Sequence, residues 1–202
     1  MPPQAGIIKD LLIATGNAGK IAEIRAALEG LPYRVLVPAD LAVALPEVEE
    51  SGETLLENAQ LKARANAKAS GMLVLSDDSG LEVDALQGAP GVHSARWSGR
   101  GPEENNRKLL EELKSLGGAP RTAVFRTVMV LAEPAGREDW VSGACEGLIS
   151  DQPSGQAGFG YDPLFFVPRA KKTFAQMEVS EKNAVSHRGE ALRRLRKLLE
   201  RW

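Results

Sequence analysis

Leu11-Leu-Ile-Ala-Thr-Gly-Asn-Ala-Gly-Lys20, Ile21-Ala-Glu-Ile-Arg-Ala-Ala-Leu-Glu-Gly30 and Leu31-Pro-Tyr-Arg-Val-Leu-Val37 follow one another without a break. Leu11 to Ala14 is a short apolar run of the kind a buried strand needs. Beyond Thr15-Gly-Asn-Ala-Gly19, apolar side chains at Ile21, Ile24, Ala27 and Leu28 recur at helical spacing, and Gly30 with Pro32 supplies a stop. Tyr33 to Val37 returns to strand character. Strand, tight loop, helix and strand make a βαβ-type opening, which points to an α/β fold.

The rest of the chain extends that pattern. Asp40, Glu47, Glu49, Glu50, Glu53 and Glu57 form an acidic stretch without a single Lys or Arg, and its second half enters a helix from Thr54 to Ser70 closed by Gly71. Leu73 to Leu75 and Leu81 to Val83 read as strands around a sharp Ser76-Asp-Asp-Ser-Gly80 turn. Pro102 opens a helix through Leu116, ended by Gly117 and Gly118. Thr122 to Leu131 and Trp140 to Ile149 form a hairpin across Glu133-Pro-Ala-Gly136. A glycine-rich loop, Gly155 to Gly160, follows. The last helix starts near Ser186 and carries Ala191, Leu192, Leu195, Leu198 and Leu199 on one face, with Arg and Lys outside. No repeat or linker interrupts the chain, so residues 1–202 are expected as one domain, with residues 1–10 as an N-terminal extension and two lobes around a cleft.

Composition narrows the function. The 202 residues are 43% hydrophobic and 26% charged, with 25 Lys and Arg against 27 Asp and Glu, a net charge of −2. That is an ordinary globular composition, long enough to bury a core without disulfides. Near-neutral charge speaks against nucleic acid as a partner, because polyelectrolyte binding relies on clustered cations. The single cysteine, Cys145, has no disulfide partner and reads as a small buried hydrophobe in a cytoplasmic protein. The first ten residues lack a signal-peptide pattern and no segment is long enough to span a membrane.

Four constellations carry chemistry. Thr15, Gly16, Asn17, Ala18, Gly19 and Lys20 lie between a strand and a helix, where backbone N–H groups favour phosphate and Lys20 adds a cation. The Walker signature fails at Ala14 and Ile21, and the plain alternative is a helix-opening turn with Lys20 in solvent. Asp77 and Asp78 suit Mg²⁺, a hard cation that takes one or two protein oxygens beside substrate phosphates, or the activation of water. Phe159, Gly160, Tyr161 and Asp162 offer a ring for stacking and an acceptor for base N–H groups, against the alternative of a packing anchor. Lys182, His187 and Arg188 offer donors to an oxygen-rich ligand.

In this order and spacing, Thr15-Gly-Asn, Lys20, Ser76-Asp-Asp-Ser-Gly80, Phe159-Gly-Tyr-Asp162 and Ser186-His-Arg188 resemble the inosine/xanthosine triphosphate pyrophosphatase family. Glu57-Asn-Ala with Lys62-Ala, and Gly88-Ala-Pro-Gly91 before Ser94-Ala-Arg96, match as well. The resemblance runs from Leu11 to Leu199. It implies an elongated central mixed β-sheet with flanking helices, two lobes around a nucleotide-binding cleft, and a homodimer. The implied reaction is Mg²⁺-dependent hydrolysis of inosine, deoxyinosine and xanthosine triphosphates to monophosphate and pyrophosphate. By that resemblance Asp78 is the proton acceptor and a metal ligand, with Glu49 or Glu50 as the other ligand. Thr15, Asn17, Lys20 and Lys62 take the triphosphate, Ser79 contacts substrate beside Asp78, Phe159 with Arg188 or His187 takes the base, and Lys182 reaches either a phosphate or a base edge. A γ-phosphatase, a non-catalytic nucleotide-binding module and a pyrimidine nucleotide pyrophosphatase are the rival readings.

Overall fold

A computed structural model of the chain describes residues 8–42 and 44–202. The residues from Met1 to Ile7, most of the expected N-terminal extension and of the stretch read for targeting, lie outside them. Lys9 and Asp10 belong to the first strand. Among the described residues are eight strands in one mixed sheet and five α-helices: β1 (Lys9–Ile13), α1 (Ala18–Leu28), β2 (Tyr33–Leu36), α2 (Leu55–Ser70), β3 (Leu73–Val83), β4 (Pro90–Gly91), α3 (Pro102–Ser115), β5 (Thr122–Ala132), β6 (Glu138–Ile149), β7 (Phe165–Val167), β8 (Lys172–Thr173), α4 (Val179–Val185) and α5 (His187–Leu199). The sheet order is β2-β1-β3-β5-β6-β7-β8, with β4 paired to β3.

The opening βαβ unit is realised. β1 runs parallel to β2, with Leu11 opposite Val35, and parallel to β3, with Leu12 opposite Val74. Leu11, Leu12 and Ile13 are fully buried, as a central parallel strand covered on both faces requires. The chain forms two compact units. The first comprises Met1–Asp77, Val128–Val141 and Leu192–Trp202, and the second Asp78–Thr127 and Ser142–Ala191. The chain passes between them four times, first between Asp77 and Asp78.

In the first unit, α2 lays Ala59, Ala63 and Ala67 against Leu12, Val74 and Val130. Alanine at i, i+4 and i+8 forms one stripe of a helix, and its short side chain lets the helix sit close to the strands. A capping box starts α2: Thr54 Oγ1 accepts from Glu57 N at 3.2 Å, and Glu57 Oε2 accepts from Thr54 N at 3.1 Å. Gly71, at φ +69°, ends it by donating to Ala67 O. Much of the acidic stretch is solvated surface: Asp40, Glu47, Glu49, Glu53 and Glu57 are all exposed.

The second unit is built on Leu81, Val83, Leu109, Leu113, Phe125, Phe165 and Phe174. Phe125 meets Phe165 edge-on at 4.8 Å and stacks near Phe174 at 5.9 Å, geometries that aromatic quadrupoles favour.

Two elements differ from expectation. Ser76 to Gly80 is not a turn: β3 runs unbroken from Leu73 to Val83. Polar residues of this kind signal turns because they bond local backbone, but here Asp77 pairs with Lys20 and Ser79 bonds Thr127, tertiary contacts that override propensity. A helix also precedes the last one. α4 spans Val179–Val185, and α5 begins at His187 with Ser186 Oγ accepting from Gly189 N at 3.0 Å.

Cys145 is buried, as expected. Burial pushes its thiol pKa up from the ordinary value, because the thiolate is the form desolvation disfavours. Native protein at pH 8 is therefore expected to react with a thiol-specific disulfide reagent many times more slowly than the same protein in denaturant. Equal rates in the two states would contradict the burial. No helix among the described residues is long and apolar enough to cross a membrane.

Candidate active site

The first unit holds the loop before α1, Lys20, Glu49, Glu50 and Lys62. The loop before α1 is occupied with opening the helix: Thr15 Oγ1 accepts from Asn17 N at 3.2 Å, and Asn17 Oδ1 accepts from Lys20 N at 3.1 Å, the usual N-cap arrangement. Gly16, Asn17 and Ala18 are exposed and Gly19 half-buried, so the loop backbone faces outward at the helix N-terminus. Lys20 is not in solvent. Its Nζ lies 2.8 Å from Asp77 Oδ2, with the Asp77 side chain 1% exposed. The loop makes the helix-opening turn that the plain alternative describes, but the lysine does not point into solvent as that alternative has it. Lys62 Nζ lies 2.6 Å from Glu50 Oε1 on partly buried side chains, whereas Glu49 is exposed.

The second unit gathers the rest. Asp78 is buried, and its backbone carbonyl accepts from Thr127 Oγ1 at 3.1 Å. Neighbouring side chains of a strand leave on opposite faces, so Asp77 and Asp78 are separated: the first holds Lys20, and the second begins the second unit. Ser79 Oγ lies 2.8 Å from Thr127 Oγ1 and accepts from Arg188 Nη2 at 3.1 Å. Arg188 is 1% exposed, among the largest fully buried side chains of the molecule, and its guanidinium carbon sits 5.4 Å from the Phe159 ring centre.

Lys182 Nζ stands 4.8 Å from the same ring centre and 2.6 Å from Asp162 Oδ2, both side chains 4% exposed. The Asp162 carboxylate also accepts from Phe159 N at 2.8 Å. One buried acid therefore fixes both the lysine and the aromatic loop. Gly158 makes that possible: at φ +76°, a Cβ there would come 2.0 Å from Asp162 Oδ2. Asp162 Oδ2 is accordingly engaged within the protein. Tyr161 is committed too. Its side chain is in the core and its hydroxyl donates to Ser94 O at 3.0 Å, and burial raises its pKa well above the usual phenol range. Gly160 O accepts from Asn106 Nδ2 at 3.0 Å. Phe159 alone of this motif keeps a half-exposed side chain.

His187 is 3% exposed and stacks on Phe125 at 4.7 Å with 11° between the ring planes. Its place is set by backbone contacts that only glycine permits. A Cβ at Gly143 would lie 2.1 Å from His187 O, and one at Gly189 would lie 1.7 Å from Asn183 O. Sequence reading missed Thr127, Gly143, Gly158 and Gly189 as site-forming residues. Thr127 did leave a signal: Ala123, Phe125, Thr127, Met129 and Leu131 alternate along β5 and are all buried, so Thr127 is the polar member of a core-facing row.

Among the described residues, no three His, Cys, Asp or Glu side chains converge as a group that could hold a metal ion. Magnesium needs fewer, since substrate oxygens and water complete its six ligands, and the buried Asp78 carboxylate is a donor of the hard type it prefers.

The sequence profile of the Ham1 family matches residues 11–198. The chain belongs to the Ham1 family. Ham1 relatives are similar along nearly the whole chain. A protein of Thermus thermophilus named dITP/XTP pyrophosphatase is 51% identical over 186 residues, 92% of this chain and 89% of its own. One of the same name from Bacillus subtilis is 44% identical over 196 residues, 96% of this chain and 98% of its own. Among solved Ham1 structures, that of Coxiella burnetii superposes with a TM-score of 0.87 at 38% identity, covering 96% of this chain and all of that one. A nucleoside-triphosphatase / dITP/XTP pyrophosphatase of Mycobacterium abscessus gives 0.73 at 40% identity, covering 92% and 98%.

Proposed function

We propose that this Ham1 chain is a nucleoside triphosphate pyrophosphatase. It hydrolyses inosine, deoxyinosine and xanthosine triphosphates to the monophosphate and pyrophosphate, and so keeps deaminated purines out of DNA and RNA. The observation that carries the reading is Arg188, a buried guanidinium held at Ser79 and set beside the half-exposed ring of Phe159. A guanidinium only donates. Hypoxanthine and xanthine present an oxygen at position 6, whereas adenine presents an amino donor there, which mispairs with it. A site built on a required hydrogen bond discriminates by roughly 10⁴ or more.

Water attacks the α-phosphorus, the bond to the bridging oxygen breaks, and pyrophosphate leaves with the electron pair. Asp78 accepts the proton that water releases. Lys20 and Lys62 neutralise phosphate oxygens, each already oriented by a carboxylate partner, so little ordering remains to be done when substrate binds. Asp78, with Glu49 or Glu50 as its candidate co-ligand, would hold Mg²⁺, whose contribution when bound is charge neutralisation on the phosphate oxygens. Glu50 is also the partner of Lys62, which gives it a second use. Residues 1–202 are read as one catalytic domain that works as a homodimer in the cytoplasm, with neither nucleic acid nor membrane as a partner.

The test is the product. Phosphorus NMR of inosine triphosphate incubated with the protein and Mg²⁺ is expected to show monophosphate and pyrophosphate. Diphosphate with orthophosphate would replace this reading with a γ-phosphatase.

A further inference from the structure

We propose that Thr127 is a positioning residue: it fixes which way the Ser79 hydroxyl points and thereby holds Arg188 in the orientation that reads the base. The inference rests on the reading of Arg188 given above. Thr127 is fully buried in β5. Three hydrogen bonds run in a line through it: Arg188 Nη2 to Ser79 Oγ at 3.1 Å, Ser79 Oγ to Thr127 Oγ1 at 2.8 Å, and Thr127 Oγ1 to Asp78 O at 3.1 Å.

The direction of every bond in that line is forced by counting protons. A carbonyl has no proton, so at Asp78 O the donor is Thr127. A hydroxyl has one proton, so Thr127, having spent it, can only accept from Ser79. Ser79 has then spent its own proton as well and turns a lone pair toward Arg188, which has nothing to offer but N–H groups. Donor and acceptor match at each step without any choice of rotamer. Bonds in such a chain also polarise one another in the same sense.

Remove the Thr127 hydroxyl and the constraint disappears. The Ser79 O–H has no acceptor at position 127, and a rotamer that turns it toward Arg188 presents a proton to a group that is itself a donor. Arg188 then loses a fixed acceptor while remaining buried, where an unmade hydrogen bond is costly. The line also ends on the backbone of Asp78, so the same threonine ties the base-reading arginine to the strand that carries the proton acceptor.

Thr127→Val keeps the side-chain shape and removes the hydroxyl, and Thr127→Ser keeps the hydroxyl. The first measurement is the ratio of kcat/KM for deoxyinosine triphosphate over deoxyadenosine triphosphate, taken well below the Tm of each variant. Thr127→Val is expected to lower the ratio about tenfold, the size of effect one buried hydrogen bond carries, and Thr127→Ser is expected to restore it to within about threefold of the parent. A lower Tm with an unchanged ratio in Thr127→Val overturns the proposal in favour of a purely structural threonine. The second measurement needs no turnover: ¹⁵N NMR of the arginine side chains, in which rotation of the Arg188 guanidinium about its Cζ bonds is expected to be slow in the parent and in Thr127→Ser and faster in Thr127→Val. Equal restriction in all three also overturns it. If the parent releases no pyrophosphate from deoxyinosine triphosphate while the Arg188 signals respond as expected, the proposed function fails and the positioning role stands.

Discussion

Asp78→Asn is expected to lower kcat for pyrophosphate release from deoxyinosine triphosphate on the order of 10³-fold, within the range that a positioned general base supplies, while the protein stays folded. Asparagine matches the shape of aspartate but accepts no proton at neutral pH. The Thr127 hydroxyl bonds the backbone carbonyl of Asp78, a contact that the substitution leaves in place. The Tm should therefore remain within a few degrees of the parent's. Coupled detection of pyrophosphate, run beside a thermal melt, reads both quantities. A rate within tenfold of the parent would remove Asp78 from the role of proton acceptor and pass it to another group.

Lys182→Met should have the largest effect on stability. Lys182 and Asp162 form an ion pair with both side chains 4% exposed, and breaking such a pair from one side leaves a charge buried without compensation, at about 3–5 kcal/mol. For a chain of this size each kcal/mol moves the Tm by about 2–4 °C, so the fall should be roughly 6–20 °C. The loss should reach the aromatic loop, since Asp162 also holds Phe159 N. Adding Asp162→Asn removes the stranded charge and is expected to return much of the lost Tm, while the amide oxygen can still accept from Phe159. The comparison of single and double variants by thermal melt separates a cost of burial from a cost of lost packing. If the double variant melts no higher than Lys182→Met, the pair's charge is not what stabilises the loop.

The βαβ opening was legible because its signals are local: an apolar run, a helical period and a glycine stop, each within a few residues. The positions of the Lys20, Asp78, Phe159 and Arg188 motifs were legible as residue types at a recognised spacing. Their states were not. Nothing near Lys20 in sequence says that it pairs with Asp77, fifty-seven residues on, and the same pairing is part of why Ser76 to Gly80 stays extended where its composition suggests a turn. Asp162 was read as an acceptor for a ligand, and nothing in the local sequence says that a buried lysine twenty residues later bonds one of its oxygens. Such pairings are properties of tertiary contact, to which local propensity is blind. Gly143 and Gly189 were unreadable for the same reason, since the atoms that exclude a side chain there belong to other segments.

Those last two glycines limit how the protein can be altered. With a Cβ excluded by backbone at 2.1 Å and 1.7 Å, neither position offers even an alanine as a starting point for change, and relief would require moving the helix start that carries His187 and Arg188. An engineer wishing to redirect the choice of base would thus find no room to bring the start of α5 closer to its neighbours. On the proposed reading, the useful variables are side-chain identities at Phe159 and Arg188, varied on a frame whose spacing is limited by two glycines.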